Sequence, residues 1–75
     1  MGTRTIYVYL PDEATDTWRP VEAEELESGR YRILGPVPDD ERWEFPPGSI
    51  VRVEMKQLMH GVTPVLRPVV VRLSA

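Results

Sequence analysis

His60 is the only histidine in a chain of 75 residues that contains no cysteine. A general base needs a partner that orients it and a nucleophile within reach. The hydroxyls of Ser28, Ser49 and Ser74 are scattered, and no spacing gathers one of them, an acid and His60 into a triad. With Gly61 beside it, His60 reads as a surface turn residue, so no catalytic residue and no enzymatic activity are expected. The adjacent carboxylates of "PDDE", Asp39, Asp40 and Glu41, lack the spaced oxygen ligands and the glycine of a calcium loop. They read as solvated loop residues, and neither a metal nor another cofactor is expected.

Binding chemistry is the better prospect. Trp18, Trp43, Tyr7 and Tyr9 could stack on a ligand, but a small core also needs such side chains. Each aromatic buries ~150–250 Å². At roughly 25 cal/mol per Å² that is worth several kcal/mol before entropy is counted. Trp43 and Phe45 are therefore assigned to the core, and Tyr7 and Tyr9 to an exposed contact surface. The acidic run Glu22, Glu24, Glu25 and Glu27 reads first as a solvated strand and turn. Its other reading is a docking face for a basic partner, with charge steering association. Arg30 and Arg32 alternate on the next apolar stretch. The candidate binding residues are thus Tyr7, Tyr9, Glu22, Glu24, Arg30 and Arg32.

These residues must be positioned by strands. "TRTIYVYL" alternates, with Ile6, Val8 and Leu10 on one side and Tyr7 and Tyr9 on the other. "TWRPVEAEEL" reads as an extended strand through Trp18, Val21 and Ala23 with a turn at "ELESG"; a short helix after Pro20 is the alternative. In "RYRILG", Tyr31 and Ile33 oppose Arg30, Arg32 and Leu34. "RWEF" reads as a short strand. "PPG" is a turn in which Gly48 can supply a positive φ. "SIVRVEM" sets Val51, Val53 and Met55 against Ile50, Arg52 and Glu54. "KQLMHG" reads as a connection that covers the outside of a last strand, "VLRPVVVRL". That strand is apolar on both faces, and Pro68 places it at an edge or a bulge. About five to six short strands with close turn signals imply a single all-β domain over residues 1–75, closed into a small barrel.

In "WEFPPGSIVRVE", Phe45, Gly48, Ser49 and Val51 resemble the aromatic-x-x-Gly-Asp-x-Val pattern of Src-homology-3-like barrels, with Ser49 in place of Asp. Together with "WRPV", "YRI" and Trp-x-Phe…Gly, most of the chain is similar to a family of small, uncharacterised bacterial proteins. The resemblance implies the barrel and no particular activity. The acidic loop and paired aromatics of proline-peptide-binding members do not occur in their usual order, so that activity is not implied.

The net charge is −3, the reverse of the basic excess expected of a protein that lives on phosphate backbones. No stretch approaches the ~20 apolar residues of a membrane span, and no signal-peptide core precedes Pro11. A cytoplasmic, non-enzymatic protein-interaction module is therefore expected, of an accessory, inhibitor or immunity type. The alternative is a nucleic-acid-binding barrel using Arg4, Arg30, Arg32, Arg52, Arg67 and Arg72 with Tyr7 and Tyr9. An open apolar last strand adds the expectation of a homodimer.

Overall fold

A computed structural model describes residues 2–74. Five strands, β1 (Thr3–Tyr9), β2 (Trp18–Glu25), β3 (Arg30–Ile33), β4 (Ile50–His60) and β5 (Thr63–Leu73), follow one another around a closed barrel. This is the all-β small barrel expected, consistent with the Src-homology-3-like class. Neighbours pair antiparallel, and a parallel bridge between Tyr7 and Val69 closes β1 onto β5.

Alternation dictates the core. Ile6, Val8 and Leu10 of the first segment are buried together with Val21 and Ala23 of β2, Ile33, Val51 and Val70. Tyr7 and Tyr9 lie on the opposite side of β1 and are half-buried. The β2 segment is a strand, not a helix, because every residue from Trp18 to Glu24 has a partner in β1. The turn at "ELESG" tightens into a short 3-10 turn, Glu27–Gly29, in which Ser28 has φ 61° and Gly29 φ 73°. Arg52 Nη1 donates to the Ser28 carbonyl at 2.8 Å and so braces that turn against β4.

Two segments depart from the sequence reading. "RWEF" forms no strand; residues 42–45 belong to a long loop between β3 and β4. The loop is nevertheless fixed. Trp43 reaches the core and is 9% exposed, with Phe45 packed against the same cluster. The Trp43 indole donates to Glu41 Oε1 at 3.1 Å, and Arg19 of β2 binds both oxygens of that carboxylate. The Glu44 amide donates to the Tyr9 carbonyl at 3.0 Å, which ties the loop to the end of β1. Gly48 turns the chain into β4 with φ 90°, and its amide donates to the Ile33 carbonyl at 2.7 Å. A lone short strand was not needed, because side chains already satisfied the loop.

The second departure is larger. "KQLMHG" is not a connection covering β5. Lys56–His60 continue β4 and pair with β5 down to His60 opposite Thr63. Gly61 and Val62 form the two-residue turn, and only Gly61 has a positive φ, 67°, as a type II′ hairpin requires. The register shifts between Arg52 and Val53, leaving Val71 as the extra residue of a bulge. Beyond it, β3 no longer accompanies β4, because their pairing ends at Arg52. Similarly, Val69 is the only β5 residue with a partner in β1 among the described residues. The outer half of the β4–β5 hairpin is therefore an arm that leaves the barrel wall. Met55, assigned to the core side with Val51 and Val53, lies on this arm and is 60% exposed.

Candidate functional site: the groove beneath the hairpin arm

Cross-strand register sorts the arm into two faces. Met55, Gln57 and Met59 share one with Pro64, Leu66 and Pro68, and this face prolongs the barrel interior past its rim. Glu54, Lys56, Leu58 and His60 share the other with Val65, Arg67 and Val69. Leu58, Val65 and Arg67 on that second face are half-buried, and Val69 at its root is buried. The face looks towards the outer side of β1 and β2, where Arg67 lies over the Tyr7 ring with its guanidinium 5.4 Å from the centroid.

Between arm and barrel runs an open groove of about 620 Å³. Tyr7, Trp18 and Pro20 form its floor, Asp16 and Thr17 one end, and Gln57–His60 with Arg67 its other wall. The floor is built by register: Tyr7 opposes Pro20 and Tyr9 opposes Trp18 on the outer face of the β1–β2 pair. Tyr9 supports Trp18 from the side, with centroids 5.4 Å apart and planes at 58°. The Tyr9 hydroxyl donates to Asp16 Oδ1 at 2.9 Å. That hydrogen bond, then desolvation, then the negative charges of Asp16 and Glu44 push the Tyr9 phenol above its ordinary value. The floor is thus an aromatic surface whose tilt is fixed, while its wall carries the Arg67 cation.

The expected binding residues are not gathered in one place. Tyr7 lines the groove and Tyr9 supports it. Glu24 and Arg32 oppose each other across β2 and β3 and form an ion pair at 2.7 Å, so each satisfies the other. Glu22 is exposed further along the same side of β2, facing Thr5 of β1. Arg30 opposes Arg52, and its Nε donates to the Glu27 carbonyl at 3.3 Å. Three further arginines have carboxylate partners. Arg4 pairs with Glu25 at 3.0 Å, Arg42 with Asp12 at 3.6 Å and Arg72 with Glu54 at 3.9 Å. Half of the expected arginine stripe, Arg4, Arg32 and Arg72, is thus paired with the protein's own carboxylates, while Arg30 and Arg52 donate to backbone carbonyls and Arg67 lies over Tyr7.

Pro20, Leu58 and Met59 are groove residues that the sequence reading does not single out; Trp18 enters it only as a possible stacking residue and Arg67 only in the arginine surface. The signal that could have revealed them is the pair of apolar alternations flanking Gly61, which reads as one hairpin once "KQLMH" is allowed to be a strand. His60 is exposed at the tip of the arm, and Asp39 and Asp40 are exposed in the loop. Among the described residues, no group of three or more His, Cys, Asp or Glu is placed to hold a metal ion. No helix among them is long and apolar enough to cross a membrane. The chain matches no family model, and no curated protein or solved structure is significantly similar to it.

Proposed function

We propose that the protein is a non-enzymatic interaction module, a bacterial accessory, inhibitor or immunity-type protein, that holds a segment of a partner protein in the groove beneath its hairpin arm. The observation that carries this reading is the groove itself: a rigid aromatic floor facing a wall of Leu58, Met59 and Arg67, large enough for several side chains. Recognition sites of this type combine apolar lining with a few fixed polar groups. The acidic balance of the chain, net charge −3, favours a protein partner over nucleic acid, since phosphate-binding proteins carry a basic excess. The cytoplasm, where a cysteine-free chain needs no oxidising compartment, is the proposed setting.

Affinity purification from cells of the source organism tests the reading. The wild-type protein should retain a discrete protein, and Trp18→Ala and Leu58→Asp should each lose it while Glu22→Ala keeps it. Equal capture by all four, or retention of nucleic acid instead, would overturn the proposal.

A second reading is favoured by the other face of the arm, where Met55, Met59 and Leu66 are 60%, 66% and 58% exposed. Such a surface suits a second copy of the chain. Light scattering at micromolar concentration should then give a dimer mass that Met55→Lys reduces to the monomer.

A further inference from the structure

We infer that the partner segment enters the groove as an added β-strand along the free edge of β4, and that it carries a carboxylate side chain opposite Lys56 and Arg67. This deepens the groove reading above and rests on it.

The first observation concerns backbone. Successive side chains of a strand point to opposite faces, yet Gln57, Leu58, Met59 and His60 all line the groove. A cavity bordered by consecutive strand residues borders the strand's edge. One edge of this stretch is occupied by β5, to which each of these residues is paired. The edge towards the groove is therefore the other one. Among the described residues it has no strand partner beyond Arg52 and no turn or loop backbone bond. Its amides and carbonyls are the template that an extended segment completes.

The arm's two edges are not equivalent. On β5, Pro64 and Pro68 flank the stretch that leaves the barrel wall. Proline cannot donate to a ladder and blunts an edge against pairing. On β4, Val53–His60 contains no proline and no glycine. One edge is blocked and the other is left competent, and the competent one opens into the cavity with the aromatic floor.

The second observation concerns charge. Lys56 and Arg67 are direct cross-strand partners on the groove-side face. Like charges directly opposite one another destabilise a sheet. Among the described residues neither cation has a carboxylate within ion-pair distance, whereas Arg4, Arg19, Arg32, Arg42 and Arg72 each have one. Arg30 and Arg52, the other cross-strand cation pair without one, instead donate to backbone carbonyls of the 3-10 turn. The chain as a whole is acidic, with net charge −3. An unneutralised cation pair on an acidic protein, beside an apolar groove, fits an extended segment with an acidic side chain opposite Lys56 and an apolar one two residues away, opposite Leu58. On the added strand these two side chains share the groove-side face, as Lys56 and Leu58 do on β4.

The test uses labelled peptides titrated into the intact protein, followed by backbone amide spectra. One peptide repeats Glu-Thr-Val-Thr, so that glutamate and valine fall on one face of the extended chain, and a second replaces each glutamate by lysine. Two more carry N-methyl groups on one or the other alternate set of amides of the glutamate peptide. The glutamate peptide should shift the amides of residues 57–60 and bind at least about fivefold more tightly than the lysine peptide, as two surface charge contacts imply. Methylation of one alternate set should abolish binding and methylation of the other should not. The double variant Lys56→Glu, Arg67→Glu should reverse the preference between the glutamate and lysine peptides. Binding that Trp18→Ala removes but that neither methylated set weakens would overturn strand addition and leave the groove reading standing. Equal affinity for the two charged peptides would overturn the role of the cation pair. No binding, or binding indifferent to Trp18→Ala, would overturn both the inference and the groove reading.

Discussion

The barrel body and the hairpin arm are made from the same kind of strand and differ in what surrounds it. In the body every strand has neighbours on both sides, its inner face is buried, and its loops are tied down by side chains such as Glu41. In the arm, β4 and β5 have only each other. Met55, Met59 and Leu66 remain exposed, and among the described residues Lys56 and Arg67 lack carboxylate partners. Strand chemistry alone therefore does not decide whether a segment stabilises or binds. The decision lies in whether edges and charges are already satisfied within the chain.

The largest effect that would sharpen this contrast is expected in the body. Trp43→Ala removes an aromatic that is 9% exposed and leaves a cavity among Leu10, Val21 and their neighbours. It should cost ~3–5 kcal/mol, which for a domain of this size is most of its stability. Denaturant unfolding measures it, and an unchanged midpoint would show that Trp43 is not part of the core. Gly48→Val should come next. Nothing crowds a side chain at that position, but φ is 90°, so the penalty is conformational and about 1–3 kcal/mol. The same denaturant series reads it.

Glu41→Ala should cost about 1–3 kcal/mol by leaving the Trp43 indole and the Arg19 guanidinium without their shared acceptor. In the arm, by contrast, Leu66→Lys should change stability by no more than about 0.5 kcal/mol, since the side chain is 58% exposed. A loss comparable with that of the body variants would mean that the arm is a structural element like the others.

The smallest effect lies at the boundary between the two regions. Tyr9 holds its proton more tightly than a free phenol because its hydroxyl donates to Asp16. A raised folded-state value means that this contact stabilises fully below the ordinary tyrosine range near 10 and that its contribution is lost as pH rises through the higher folded value. Asp16→Ala should move the Tyr9 titration down towards the ordinary value, read from tyrosinate absorbance. No change would show that Asp16 does not hold the hydroxyl in solution.

The body was the legible half of the sequence. Ile6, Val8 and Leu10 alternate cleanly with Tyr7 and Tyr9, Tyr31 and Ile33 alternate with Arg32, and Val51 sits in a β-branched run, so local pattern and final burial agree. Gly48 was legible because a positive φ has few other occupants. The arm was not, and the reason is physical. "KQLMH" has unbranched and polar side chains with no strand preference of its own; it becomes a strand only because "TPVLR" lies beside it. The pairing of Lys56 with Arg67 depends on register across Gly61, and register is not a property of either segment alone. Likewise "RWEF" looked like a strand because aromatic spacing does not distinguish a ladder from a loop held by a buried carboxylate clasp. The assignment of Trp43 to the core survived that error, since burial of a large aromatic follows from area whatever the backbone does.

Site-specific crosslinking tests most directly the claim that the body stabilises and the arm binds. A photoreactive residue placed at Leu58, in the groove, and at Glu44, on the exposed side of the Trp43 loop, is irradiated in cells of the source organism. The account predicts a discrete protein adduct from position 58 that disappears when Trp18→Ala is added, and none from position 44. Adducts from both positions alike, or from position 44 alone, would contradict it.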